Sequence, residues 1–270
     1  MTVQTGNLIE PTQWRNMEDF SEGIETNRLP QADGLNGTTT TITLADGSGS
    51  FDITVDAEGR ATWTPHGIQW LNEGSGPADI VQFLAGAYWV DITTKGDLPQ
   101  TVTTVFHPER RWALVVHTIV HGEDFATETR VMQEYYPGWI GDERPDANLP
   151  APSRDLVGKR TLFRYSANHL YEHIYLSSRR FVWHNLVGEQ RGHAAAELAT
   201  TYKLDDGLYL FTWREEKIPV GTVFVFDYEN GRSTGKFLGI TGSNEIQNQG
   251  AGAYVIPFGY SEYADHQEPV

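Results

Sequence analysis

Three side chains in the second half of this chain could do acid–base chemistry together. Glu215 closes the run Trp213-Arg214-Glu215, and a carboxyl desolvated by aromatic neighbours has its pKa raised toward neutrality, where it can donate or take a proton. Tyr165, in Arg164-Tyr165-Ser166, could polarise a ligand oxygen, and Arg191, between Gln190 and Gly192, could hold a carboxylate or phenolate through paired hydrogen bonds. Around them Phe163, Tyr171, His173, Tyr175, Trp183, His184 and Trp213 supply rings suited to lining a cavity for a small aromatic or conjugated molecule. Each candidate also has a plainer reading. Glu215 could end a charged strand, Arg191 could be a solvated turn residue, and Tyr165 could be ordinary core. His184 follows Trp183 in a strand, so the two point to opposite faces and only one of them can line a lumen.

A duplicated unit must position these residues. Asn27-Arg28-Leu29-Pro30 is echoed by Asn148-Leu149-Pro150, Leu35-Asn36-Gly37 by Leu156-Val157-Gly158, and Trp63 by Trp183, with spacings near 120 residues throughout. A period held across several landmarks marks two copies of one folding unit. Within each copy, short runs rich in Thr, Val, Ile and aromatics alternate with period two and break at turn dipeptides such as Asp46-Gly47 and Glu58-Gly59. Eight runs fall in each copy, at about 38–44, 50–56, 60–65, 79–84, 87–93, 100–106, 112–120 and 127–135, then 159–166, 170–176, 180–184, 197–203, 207–214, 220–228, 234–240 and 252–257. The expected fold is all-β: two tandem eight-stranded antiparallel up-and-down barrels of lipocalin type, each wide enough for one small ligand. Two open sandwiches built from the same strands are the alternative. The expected divisions are a short helical lid or plug in 1–24, a first barrel in 25–140, a Pro- and acid-rich linker in 141–153, a second barrel in 154–263 and a frayed tail in 264–270.

Differences between the copies indicate where chemistry resides. Aligned on Gly37 and Gly158, Tyr165 stands against Leu44; aligned on Pro99 and Pro219, Glu215 stands against Lys95, and Arg191 falls against Leu71. The second lumen is expected to be the wetter and more reactive, the first the more apolar.

Composition removes several classes of function. With 36 acidic and 20 basic side chains the formal charge is −16, which repels nucleic acid and anionic membranes. The chain has no cysteine, so disulfides, thiolate metal sites and a cysteine nucleophile drop out. In His117-Thr118-Ile119-Val120-His121 and His169-Leu170-Tyr171-Glu172-His173 the imidazoles are four apart, and strand positions at that spacing lie about 13 Å apart, too far to chelate one ion. No metal site is expected. Gly-x-Ser-x-Gly, Walker and dinucleotide fingerprints are missing, so no cofactor is expected either. No run approaches the roughly 20 apolar residues of a membrane span, and the cytoplasm is the expected location. A homodimer is compatible with the sequence.

The residues also carry a resemblance. Val157-Gly158-Lys159-Arg160, Tyr171-Glu172-His173-Ile174-Tyr175-Leu176, Trp183-His184 and Leu208-Tyr209-Leu210-Phe211-Thr212-Trp213-Arg214-Glu215 resemble the MoaF family, whose members look like paired lipocalin-type barrels. More distantly, the second half is similar to phenolic acid decarboxylases, cofactor-free enzymes on one such barrel. That resemblance implies a site of two tyrosines one residue apart, an arginine and a glutamate, which fall here on Phe163, Tyr165, Arg191 and Glu215. Phe163 lacks the hydroxyl, so the tyrosine pair is broken. The function expected is therefore cofactor-independent lyase or isomerase chemistry on a small aromatic or conjugated molecule in the second barrel. The alternatives are a non-catalytic carrier with the same cavity and a scaffold whose barrels are filled by their own side chains.

Overall fold

The computed structural model describes residues 14–125, 127–264 and 269; most of the tail assigned to 264–270 and the first half of the 1–24 segment lie outside them. After one short helix, α1 (Met17–Ser21), come the strands of the first barrel: β1 (Thr38–Leu44), β2 (Ser50–Val55), β3 (Arg60–His66), β4 (Gly74–Gln82), β5 (Tyr88–Thr94), β6 (Gln100–Phe106), β7 (Trp112–Val120) and β8 (Val131–Ile140). A two-residue strand β9 (Ala151–Pro152) precedes those of the second: β10 (Lys159–Ser166), β11 (His169–Tyr175), β12 (Arg180–Val187), β13 (Ala194–Asp205), β14 (Leu208–Arg214), β15 (Val220–Asp227), β16 (Arg232–Ile240) and β17 (Ile246–Tyr260). All neighbours are antiparallel. The first barrel closes through β1 and β8, the second through β10 with β17 and β12 with β13.

Gly37 and Gly158 open equivalent first strands. Their φ values of 72° and 84° suit glycine, and each donates its N–H to the end of the next strand, at Val55 O (2.8 Å) and Tyr175 O (2.9 Å). Closure requires strands to turn corners. β13 pairs with β12 over Ala194–Leu198 and with β14 from Leu198 onward, and the 15-residue β17 serves β16 with its first half and β10 with its second. These starts were hidden in the sequence because Gly74-Ser75-Gly76-Pro77 and Ala194-Ala195-Ala196 carry no strand propensity; their neighbours impose the ladder. The 141–153 segment likewise holds β9, which pairs Pro152 with Tyr202.

Register corrects one sequence alignment. In the first barrel Thr94 faces Gln100, and in the second the Glu215 N–H reaches Val220 O at 2.9 Å, so the counterpart of Glu215 is Thr94 and not Lys95. The same ladders set Tyr165 opposite Leu44, Tyr171 opposite Phe51, His173 opposite Ile53 and Trp213 opposite Ile92. The first lumen is packed with aliphatics such as Ile42, Leu44, Ile53, Val90 and Ile92, whereas the second is lined largely by aromatic rings.

The barrels join through the outer faces of β5–β7 and β14–β16. Trp89, Val105, Leu114 and Val116 meet Leu208, Leu210, Val223 and Val225 in one buried cluster. Beside this apolar contact, and buried, Lys236 Nζ lies 2.5 Å from Asp91 Oδ1. Thr103 Oγ1 (2.6 Å) and Asn248 Nδ2 (2.9 Å) also donate to that carboxylate, and the ammonium donates to Thr101 Oγ1 (2.5 Å). Burial lowers the lysine's pKa while Asp91 opposes the shift. Removing one partner strands the other charge, so Asp91→Ala is expected to cost about 3–5 kcal/mol in chemical denaturation, whereas replacing both by apolar residues, Asp91→Leu with Lys236→Met, recovers most of that loss. Equal midpoints for Asp91→Ala and parent would contradict this role for the pair.

Candidate functional site

One end of the second barrel gathers most of the sequence candidates. Tyr165 lies next to the last residue of β10, Tyr171 and His173 lie on the inward face of β11, Trp183 is inward on β12, Trp213 is near the end of β14 and Glu215 directly follows that strand; all six line one cavity. Its mouth is covered from the N-terminal side by Trp14, Phe20 and Ile24. Asp19 holds this segment's turn by accepting the Asn16 N–H at 3.0 Å, and Phe20 packs edge-on against Phe237 with ring centroids 5.8 Å apart. Trp14 meets Trp183 edge-on at 5.9 Å. The open space that remains is about 30 Å³, little more than a water molecule occupies.

At the cavity wall Glu215 accepts the indole N–H of Trp213 at Oε1 (2.8 Å) and that of Trp183 at Oε2 (3.3 Å). Behind it stands Glu197, from β13, hydrogen-bonded to the Glu215 carboxyl and accepting the Glu216 N–H at 2.9 Å. Burial and the adjacent Glu215 charge push Glu197 up to about 9. Burial also raises Glu215, against the hydrogen bonds from Glu197, Trp213 and Trp183 that favour its charged form. Burial thus raises both carboxyls and the pair shares a proton at neutral pH, with Glu215 the member facing the cavity.

The other walls are neutral. His173, ringed by Phe163 (4.3 Å), Phe181 (5.0 Å) and Trp213 (5.5 Å), is pushed down to about 3 by burial, and its Nδ1 has no hydrogen-bond partner among the described residues. Tyr171 donates its hydroxyl to Gln190 Oε1 at 2.9 Å, and burial raises the pKa of both Tyr165 and Tyr171.

The remaining candidates lie elsewhere. Arg191 is exposed in the β12–β13 turn, and its neighbour Gln190 takes the place at the cavity. A turn that reverses the chain sends adjacent residues to opposite sides, which explains the error. Phe163 is buried against Phe226 as packing beneath the cavity, and Tyr175 points to the far end beside Tyr228. His184 faces outward, with Nδ1 3.6 Å from Glu172, because Trp183 faces in. Glu197 and Trp14 were missed. The duplication held a signal for the first: the β12–β13 register matches Glu197 to Gly76, so a carboxyl replaces a glycine at an inward position.

The raised pKa of Glu197 has a measurable effect on stability. The folded protein keeps this proton after the unfolded chain has lost it, so folding takes up a proton between the ordinary value of 4.5 and about 9, and stability falls as pH rises through that window. The parent is expected to lose up to roughly 1.4 kcal/mol per pH unit there relative to Glu197→Gln. Denaturant unfolding of the two proteins across this range checks it, and parallel pH profiles would contradict the buried proton.

Two family models match the chain, the MoaF N-terminal domain over residues 12–121 and the MoaF C-terminal domain over residues 150–259. Among curated proteins, Protein MoaF of Klebsiella aerogenes is 36% identical over 96 residues, which is 36% of this chain and 37% of that protein, so the match spans little more than a third of the relative. A crystal structure from Burkholderia vietnamiensis, provisionally described as a beta-lactamase, aligns over 43% of this chain and 100% of its own at 16% identity with a TM-score of 0.32, a level that carries no functional argument. With the two domain models together matching most of the chain in the order of its two barrels, the chain belongs to the MoaF family.

Proposed function

We propose that the second barrel is a cofactor-independent acid–base site that acts as a lyase or isomerase on a small aromatic or conjugated molecule, in the cytoplasm. The observation that supports this is the Glu197–Glu215 pair at the wall of an aromatic cavity. Glu215, held in place by two indole donors, takes a proton from one atom of a bound molecule and returns it at another, ending as the carboxylate it began; Glu197, behind it, hydrogen-bonds the Glu215 carboxyl throughout. Removing a proton at one position and returning one at another is what a double-bond shift or an elimination needs. The first barrel offers no such pair, with Gly76 and Thr94 at the matching positions.

The site expected from a resemblance to phenolic acid decarboxylases does not assemble here. Neither Phe163, which has no hydroxyl, nor the exposed Arg191 supplies the group that resemblance assigns to it. A second reading is a carrier in which the same groups only orient the ligand. The near-closed cavity favours it, since entry requires the segment bearing Trp14 and Phe20 to move aside, as capture and release also would.

Incubation of the purified protein with conjugated and aromatic small molecules in D2O, read by mass spectrometry, separates the two. Catalysis predicts a new product or deuterium incorporation that Glu215→Gln slows by about 10²–10⁴-fold. Ligands that bind yet show neither product nor exchange would leave the carrier.

A further inference from the structure

We propose that this cavity selects a positively charged ligand, a small aromatic or conjugated molecule bearing a protonated amine, over an anionic one. The inference rests on the small-molecule reading of the second barrel and adds the charge of what it takes. Of the lining residues, Glu215 is the one that can carry charge near neutral pH; among the described residues no lysine or arginine reaches the cavity, and His173 is a neutral imidazole. An anion entering here would meet a carboxyl pair and no countercharge.

The neutral donors do not serve an anion either. The indole N–H groups of Trp183 and Trp213, which could otherwise cradle a carboxylate, are both committed to Glu215, and the Tyr171 hydroxyl is committed to Gln190. A cation meets the opposite conditions. The rings of Trp14, Trp183, Trp213, Tyr165 and Tyr171 surround the space, and aromatic faces attract an ammonium electrostatically, tryptophan most of all. Glu215 supplies a counter-ion already fixed in direction by its two indole bonds, so little ordering is lost when an ammonium arrives. The Trp14 ring, edge-on to Trp183, stands where the aromatic body of such a ligand would rest. Binding therefore exchanges one ring for another at the mouth.

The test is a charge series of one shape: 2-phenylethylamine, 2-phenylethanol and 3-phenylpropionate, titrated at neutral pH by tryptophan fluorescence and calorimetry against the parent, Glu215→Gln and the mouth-opening Trp14→Ala. The amine is expected to bind about tenfold or more tightly than the carboxylate, with the alcohol between, and Glu215→Gln is expected to remove that order. Equal or tighter binding of the carboxylate to the parent would overturn the proposal, whatever the folding of the variants. So would an amine preference that survives in a folded Glu215→Gln. Failure of all three probes on both parent and Trp14→Ala would overturn the small-molecule site together with it. Amine-selective binding without product or deuterium exchange would leave the charge selection standing and remove only the catalytic reading.

Discussion

Sheet closure is the constraint on which the rest of this molecule depends. When eight strands close, every second side chain must enter a lumen so narrow that inward residues touch one another. A polar group at an inward position is costly without a partner, a cost that His173 bears at its Nδ1, since an unpaired buried group loses more than its hydrogen bond would return. In the first barrel this demand is met with aliphatics around Ile53 and Ile92. In the second it is met with rings, and the two inward carboxyls that appear, Glu197 and Glu215, satisfy each other and two indoles. Burying two acids together fixes a proton between them. The chemistry of the site is thus a direct product of the packing that closes the sheet.

The sequence made the strands, their duplication and the richer second copy legible, because period-two alternation and turn glycines are local signals. The inward set on β11, Tyr171 and His173, follows from alternation alone. What alternation cannot give is register between strands. Glu215 was aligned one residue out, with Lys95 in place of Thr94, and Glu197 was invisible behind three alanines until the β12–β13 ladder matched it to Gly76. Arg191 failed for a related reason: within a turn, chain proximity to Gln190 says nothing about which residue turns inward. The bond between Asp91 and Lys236 spans 145 residues and joins two outer faces, so no local pattern announces it.

The joint between the barrels has its own logic. Equivalent strands supply the contact from both sides, so each barrel presents much the same face to the other. The two faces differ at the ion pair. By register the twins of Asp91 and Lys236 are Thr212 and Val116, and where Asn248 reaches Asp91 on one side, Tyr135 reaches Thr212 at 2.5 Å on the other.

That difference bears on which halves suit one another. Two first barrels brought together through this face would each bury Asp91 against the valine of the other, and two second barrels would each bury Lys236 against a threonine. Both like-with-like unions bury two uncompensated charges; the mixed union neutralises them. A single charge pair thus gives two modules of one fold a polarity, as a keyed plug accepts its own socket and rejects a second plug.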